Sequence, residues 1–293
     1  MNLRKIRGNI MLLTAAVIWG SAFVAQSEGM NYVDPFTYVF SRSIIGAAVL
    51  VIIISVIKKR KKKECHPADF KMSAFGGACC GLVLFAASSF QQFGISNTTA
   101  GKAGFITALY IIIVPVLGFF MKKKTTSKVW ICAAIAVAGF YLLCIRNDFS
   151  IGPGDTLVLI SAVFFSLHII VIDYFNGKNT DPMIMSCFQF LTAGIIGFPM
   201  MFIFENPDIN NIINAAVPIL YAGVLSSGIA FTLQMIAQKD TDPTVATMIM
   251  SLESVFAALS GWLILGETLS VRELSGCILV FAAVITAQLP AKT

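Results

Sequence analysis

Long apolar runs alternate with short polar punctuation along the whole chain. Bounded by charge, Pro, Gly and Asn, they fall at about 9–27, 36–57, 70–91, 99–121, 128–145, 155–175, 182–204, 214–237, 243–265 and 271–289. A helix needs about 20 predominantly apolar residues to cross the hydrocarbon core, where lipid offers no partner for a bare N–H or C=O. Each run therefore reads as a spanning helix, and the pattern predicts an all-α membrane protein of about ten transmembrane helices. The first run follows Arg4, Lys5 and Arg7, has no small-residue cleavage site and runs into Glu28 and Asp34. It reads as a span and not as a signal peptide.

The runs repeat. Ile106 to Tyr110, Pro115 to Gly118 and Lys124 to Ser127 align without gaps on Ile249 to Glu253, Ala258 to Gly261 and Glu267 to Ser270. Upstream, Gly8 with Ala16 to Trp19 matches Gly154 with Ala162 to Phe165, and Asp34-Pro35 matches Asp181-Pro182. The chain thus divides into two related five-span halves, residues 1–147 and 148–293. Five is odd, so the second half enters the membrane upside down relative to the first. Inverted repeats of this kind are typical of secondary transporters, whose site lies at the repeat interface.

Charge adds orientation. With the N-terminus in the cytoplasm, seventeen of the 21 Lys and Arg residues fall on the inner side, including Lys58 to Lys63, Lys71, Lys122 to Lys124, Lys178, Lys239 and Lys292. Lys102, Arg146 and Arg272 fall outside, and Arg42 lies within the second span. The positive-inside rule then predicts both termini cytoplasmic, in a multi-pass protein of the cell inner membrane. The formal charge of +6 is explained by these loops, and nucleic acid is not expected as a partner. The chain is 57% hydrophobic and only 12% charged, against roughly 25% charged in a soluble domain. The seven cysteines, Cys65 among them, lie mostly in apolar runs without companion histidines and read as packing residues.

Trp19-Gly20-Ser21-Ala22-Phe23 in the first span, Ala100 to Thr107 opening the fourth, and Leu252-Glu253 followed by Gly261, Gly266-Glu267-Thr268 and Gly276 carry a family resemblance. Over essentially its whole length the chain resembles the EamA-type branch of the drug/metabolite transporter superfamily. The resemblance implies ten helices as two inverted five-helix repeats around a central cavity, in a family whose typical members export amino acids and other metabolites. One departure is Ser254, where many relatives carry Pro, which puts the kink expected there in doubt.

Glu253 sits about ten residues into the ninth span, near mid-bilayer at 1.5 Å per residue. A carboxyl at that depth is costly, must be neutralised by proton, partner or ligand, and is by default a functional hypothesis; a structural hydrogen bond is the plain alternative. Its repeat partner Tyr110 should reach the same level from the other half. His168 in the sixth span shares a helical face with Ser161, Phe165 and Ile172, and either relays protons or binds substrate, or simply satisfies an interface. Glu253 and His168 are the proton-coupling candidates. Gln91 and Gln92 in the third span and Gln234 in the eighth occupy repeat-related positions and either flank gates or hydrogen-bond between helices. Trp19, Phe23, Tyr110 and Phe256 could line a ligand site, with Ser21, Thr107 and Ser254 facing the same cavity. Arg42 could bind a carboxylate, but it lies two turns from the end of its span and reads better as reaching headgroups. Gly101, Gly104, Ala108 and Gly118, with Ala257, Ala258 and Gly261, permit close helix packing.

The expected substrate-binding set is therefore Trp19, Ser21, Phe23, Gln92, Thr107, Tyr110, His168, Gln234, Glu253 and Ser254. The expected cavity is bounded by spans one, three, four, six, eight and nine. Gly94 to Lys102 fails as a phosphate-binding loop because its glycines are too far apart and Ala103 replaces the required Ser or Thr. No metalloprotease or nucleophile-elbow motif occurs. The reading is a secondary, non-ATP transporter, an exporter of a small metabolite such as an amino acid or of a drug-like compound, working by alternating access. The alternatives are an intramembrane enzyme or a channel using Glu253 and His168. Expected partners are a small-molecule substrate and the lipid bilayer, with no cofactor, no metal, and a monomer or homodimer as the assembly.

Overall fold

A computed structural model of the chain describes residues 3–60, 69–121, 126–144, 151–265 and 270–288. Readings that rest on Lys61 to Lys63, Cys65, Lys122 to Lys124, Arg146, Gly266 to Thr268 and Lys292 lie outside the described residues.

Among the described residues ten long helical segments run in order: α1 (Leu3–Gly29), α2 (Pro35–Arg60), α3 (Phe70–Ile95), α4 (Ala100–Phe120), α5 (Ser127–Cys144), α6 (Pro153–Asn176), α7 (Pro182–Phe204), α8 (Ala216–Ala237), α9 (Pro243–Ile264) and α10 (Val271–Gln288). A short connecting helix, Ile209–Asn214, precedes α8. Among the described residues eight helices are long and apolar enough to cross a membrane; α5 and α10 are 18 residues each and pack on one another.

Local chemistry sets the boundaries. Asp69 caps α3 through Met72 N–H, Thr99 caps α4 through Lys102 N–H, and Asp181 and Asp242 cap α7 and α9, each followed by Pro at the first helical position. At α6, Asp155 reaches back to Gly152 N–H at 3.0 Å. The α2 helix borrows its cap: Glu205, at the end of α7, accepts from Phe36 N–H at 2.6 Å and from Thr37 N–H at 2.8 Å. These are orphan donors at the positive end of the helix dipole, which a carboxylate satisfies well.

The packing scheme carries the repeat. The α3 helix packs on α6 and α7, and α8 packs on α1 and α2; α2 pairs with α7 and α5 with α10. Exchanging each helix with the one five places along converts the first two contacts into each other and leaves the last two unchanged. That is the contact pattern of two related halves. Close approach depends on particular glycines. A Cβ on Gly77 or Gly81 of α3 would stand 2.5 Å from the carbonyl oxygen of Met185 or Gln189 on α7. The close-packing role expected of Gly101 is not found, because a Cβ there would meet nothing within 4 Å, and at Gly104 it would make ordinary contact at 3.7 Å. Buried Cys80, Cys132, Cys187 and Cys277 fill helix contacts as free thiols. Exposed Ile52, Phe75, Phe119, Phe202 and Leu263 present an apolar outer surface, as a lipid-facing bundle requires.

Candidate functional site

The fourth helix of each half is interrupted at the same place. In α4 the regular ladder stops at Ala108 and resumes at Tyr110, and in α9 it stops at Met250 and resumes at Glu253. At both breaks the chain tightens to three-residue bonds: Leu109 N–H to Ile106 O at 3.2 Å, and Leu252 N–H to Ile249 O at 3.2 Å. The interruption in α9 is present with Ser254 standing where many relatives carry Pro. Serine side chains account for it by competing for backbone groups. Ser251 Oγ donates to Met248 O at 2.8 Å, and Ser254 Oγ leaves its own helix to donate to Gly104 O on α4 at 2.7 Å.

The residue that restarts each broken helix meets its counterpart. Tyr110 donates its hydroxyl to Glu253 Oε1 at 2.9 Å, across a sequence separation of 143. Each of the two residues is only 4% exposed. Beside this pair lies a narrow cavity, open to solvent, lined by residues of α1, α2, α3, α4, α6, α8 and α9. Seven of the ten expected site residues line it: Trp19, Phe23, Thr107, Tyr110, His168, Gln234 and Glu253.

Three do not. Ser21 bonds the hydroxyl of Tyr221 and its own helix backbone. Gln92 is fully buried and donates to Gln26 O at 3.2 Å, while its neighbour Gln91 turns into the cavity and donates to Thr107 Oγ1 at 3.1 Å. Ser254 is spent on the α4–α9 contact just described. Phe256 packs on Phe281 and is not among the lining residues.

His168 is fully buried, bonds Gln189 Oε1 through Nε2 at 2.9 Å and packs edge-on against Phe231. Its Nδ1 has no partner, and the same holds for Trp19 Nε1, Gln26 Oε1 and Gln234 Oε1 in the same lining. Ser226 enters the lining from a π-helical stretch of α8, Tyr221–Ala230, and Phe231 and Gln234 follow it in regular helix. Turns of π-helix are rare and concentrate at functional sites. Among the described residues no group of three or more His, Cys, Asp or Glu side chains could hold a metal ion.

The residue most plainly missed is Arg42. It is 5% exposed and lines the cavity from α2, so it does not reach out to the membrane surface as its depth suggested. Gln26, Phe165, Ser226 and Met250 are further lining residues that hydropathy alone does not single out.

The EamA-like transporter family model matches residues 6–145 and 152–287, and the chain belongs to that family, part of the drug/metabolite transporter superfamily. A protein of Archaeoglobus fulgidus named an uncharacterized transporter is 27% identical over 98% of this chain and 87% of its own length. The Escherichia coli inner membrane transporter YedA, also named uncharacterized, is 24% identical over 94% of this chain and 88% of its own. A crystal structure with 18% sequence identity superposes with a TM-score of 0.76 over 96% of each chain, which shows the shared fold. The protein is thus a multi-pass membrane protein of a transporter family.

Proposed function

We propose that the chain is a secondary transporter that exports a small metabolite, such as an amino acid or a drug-like compound, by alternating access around the central cavity. The observation that carries this reading is the Tyr110–Glu253 hydrogen bond, which joins the two broken helices beside the central cavity. Discontinuous helices meeting at a repeat interface are how many carriers build a site that both membrane faces can reach in turn. Rocking one half against the other has to break or re-form that contact. The division into halves at 147/148 supplies the two moving bodies. Trp19, Phe23, Thr107, Tyr110, His168, Gln234 and Glu253 are the proposed substrate contacts, with Glu253 and His168 as the groups that exchange protons. Both termini are placed in the cytoplasm by the lysine distribution, in the cell inner membrane, as a monomer or homodimer.

Solute counterflow in proteoliposomes tests the carrier. An unlabelled solute trapped inside should accelerate uptake of its labelled form at the same external concentration. Flux without trans-stimulation would identify a channel, and chemical conversion of the solute would identify an enzyme.

A further inference from the structure

We infer that Arg42 is an anion-recognition residue, and that the cavity takes a substrate bearing a single carboxylate with an apolar body. This deepens the carrier reading and rests on it for the path of the substrate, though not for the existence of the site.

A guanidinium cannot shed its charge in a protein, so a buried arginine must be balanced by something. Arg42 is carried into the bundle by helical phase. Gly46 and Val49 follow it at i+4 and i+7 and pack on Ser227 and Gly228 of α8, whereas Ile44, Val51 and Ile52 occupy the exposed side of α2. The head group therefore faces the cavity and not lipid. Among the described residues no carboxylate lies within 4 Å of it; the ion pair found there is Lys102–Asp155. Glu205, at the N-terminus of α2, is taken up by Phe36 and Thr37. Glu253 is the sole acid in the lining and is bonded to Tyr110. Tyr38, one turn before Arg42, donates its hydroxyl to Pro218 O at 3.1 Å.

The lining thus holds one permanent positive charge for which the described residues supply no counter-ion within 4 Å. The fork of a guanidinium matches a carboxylate or a phosphate in bidentate fashion. One fixed cation in a lining of mostly amides and rings suits a single negative charge better than the nearly two charges of a phosphate monoester. Trp19, Phe23, Phe165, Phe231 and Met250 offer apolar surface for the rest of the molecule.

The test uses full-length protein in lipid nanodiscs and three probes of one shape: 3-phenylpropanoate, 3-phenylpropanamide and 2-phenylethylamine. Wild type should bind the carboxylate roughly 30-fold or more tightly than the amide, the scale on which removing one member of a buried charge pair is felt. Arg42→Gln should bring that ratio close to one while leaving amide affinity in place, which also shows that the variant is folded. Arg42→Lys, which keeps charge and loses the fork, should fall between. Equal binding of the three probes by wild type, tighter binding of the amine, displacement by inorganic phosphate but not by phenylpropanoate, or a carboxylate preference that survives Arg42→Gln would each overturn the inference. Counterflow separates the two readings. Counterflow of phenylpropanoate that Arg42→Gln leaves at the wild-type rate removes the anion site and leaves the carrier. Arg42-dependent binding of phenylpropanoate without counterflow of any solute removes the carrier and leaves the site.

Discussion

Replacing Glu253 with glutamine separates shape from charge at the junction of the two repeats. The amide keeps the volume and an oxygen that can still accept from Tyr110 at the present 2.9 Å. Intramembrane hydrogen bonds average about 0.6 kcal/mol, so the folded state should change by less than about 1 kcal/mol. Insertion should be no worse, since an ionised carboxyl at a helix centre costs about 2.5–3.5 kcal/mol on translocon scales. What the substitution removes is a proton that can come and go. If Glu253 carries one proton per transported molecule, a gradient of one pH unit is worth about 1.36 kcal/mol and supports an accumulation ratio of about ten. The glutamine variant should still equilibrate substrate down its own gradient, with the ratio falling to about one. Proteoliposomes with an imposed pH gradient, loaded with a solute that passes the counterflow test, give both numbers in one experiment. Wild-type accumulation by the purified variant would return Glu253 to a purely structural role and make His168 the next residue to examine.

Helix packing makes a paired prediction. Gly81→Ala places a methyl 2.5 Å from Gln189 O and 2.7 Å from Thr192 Cβ, so α3 and α7 must separate at a cost of about 1–3 kcal/mol, seen as a lower unfolding midpoint in detergent. Gly101→Ala, with no atom within 4 Å, should leave the midpoint unchanged or raise it; equal losses at both positions would show that the α3–α7 approach is not what Gly81 serves. Topology is tested by single cysteines at exposed loop positions in a Cys-free background. Residues 31 and 210 should label from outside intact cells and 179 and 240 only after permeabilisation, while labelling of 31 and 179 from one side would destroy the assigned orientation.

The helices were legible because lipid leaves the backbone so few options. Apolar runs of sufficient length must be helical, and caps such as Asp69, Asp181 and Asp242 sit where the punctuation placed them. The pairing of Tyr110 with Glu253 was legible for a different reason. An internal repeat is a statement about space, since residues at equivalent positions of two inverted copies stand at related depths, and the two found there bond directly. What stayed hidden was rotation about each helix axis. Gln91 and Gln92 are neighbours in sequence but about 100° apart around α3, and only the packing partners decide which of them faces the cavity. Arg42 fails for the same reason: its depth allowed escape to the headgroups, and its contact face on α8 forbids it.

The break in α9 carries the argument one step further. Proline could not have caused it, because neither Met250 to Glu253 nor Ser254 includes one, yet the interruption falls at the position related to the break in α4. The cause must therefore be common to both halves. In each, the restarted helix presents its first residue to the other half, and Ser254 bonds the α4 backbone at Gly104, four residues before the α4 ladder stops. The interruption in one repeat is thus held in part by the other. A motion that shifts one half against the other must rearrange both breaks together, at the level where Tyr110 and Glu253 meet.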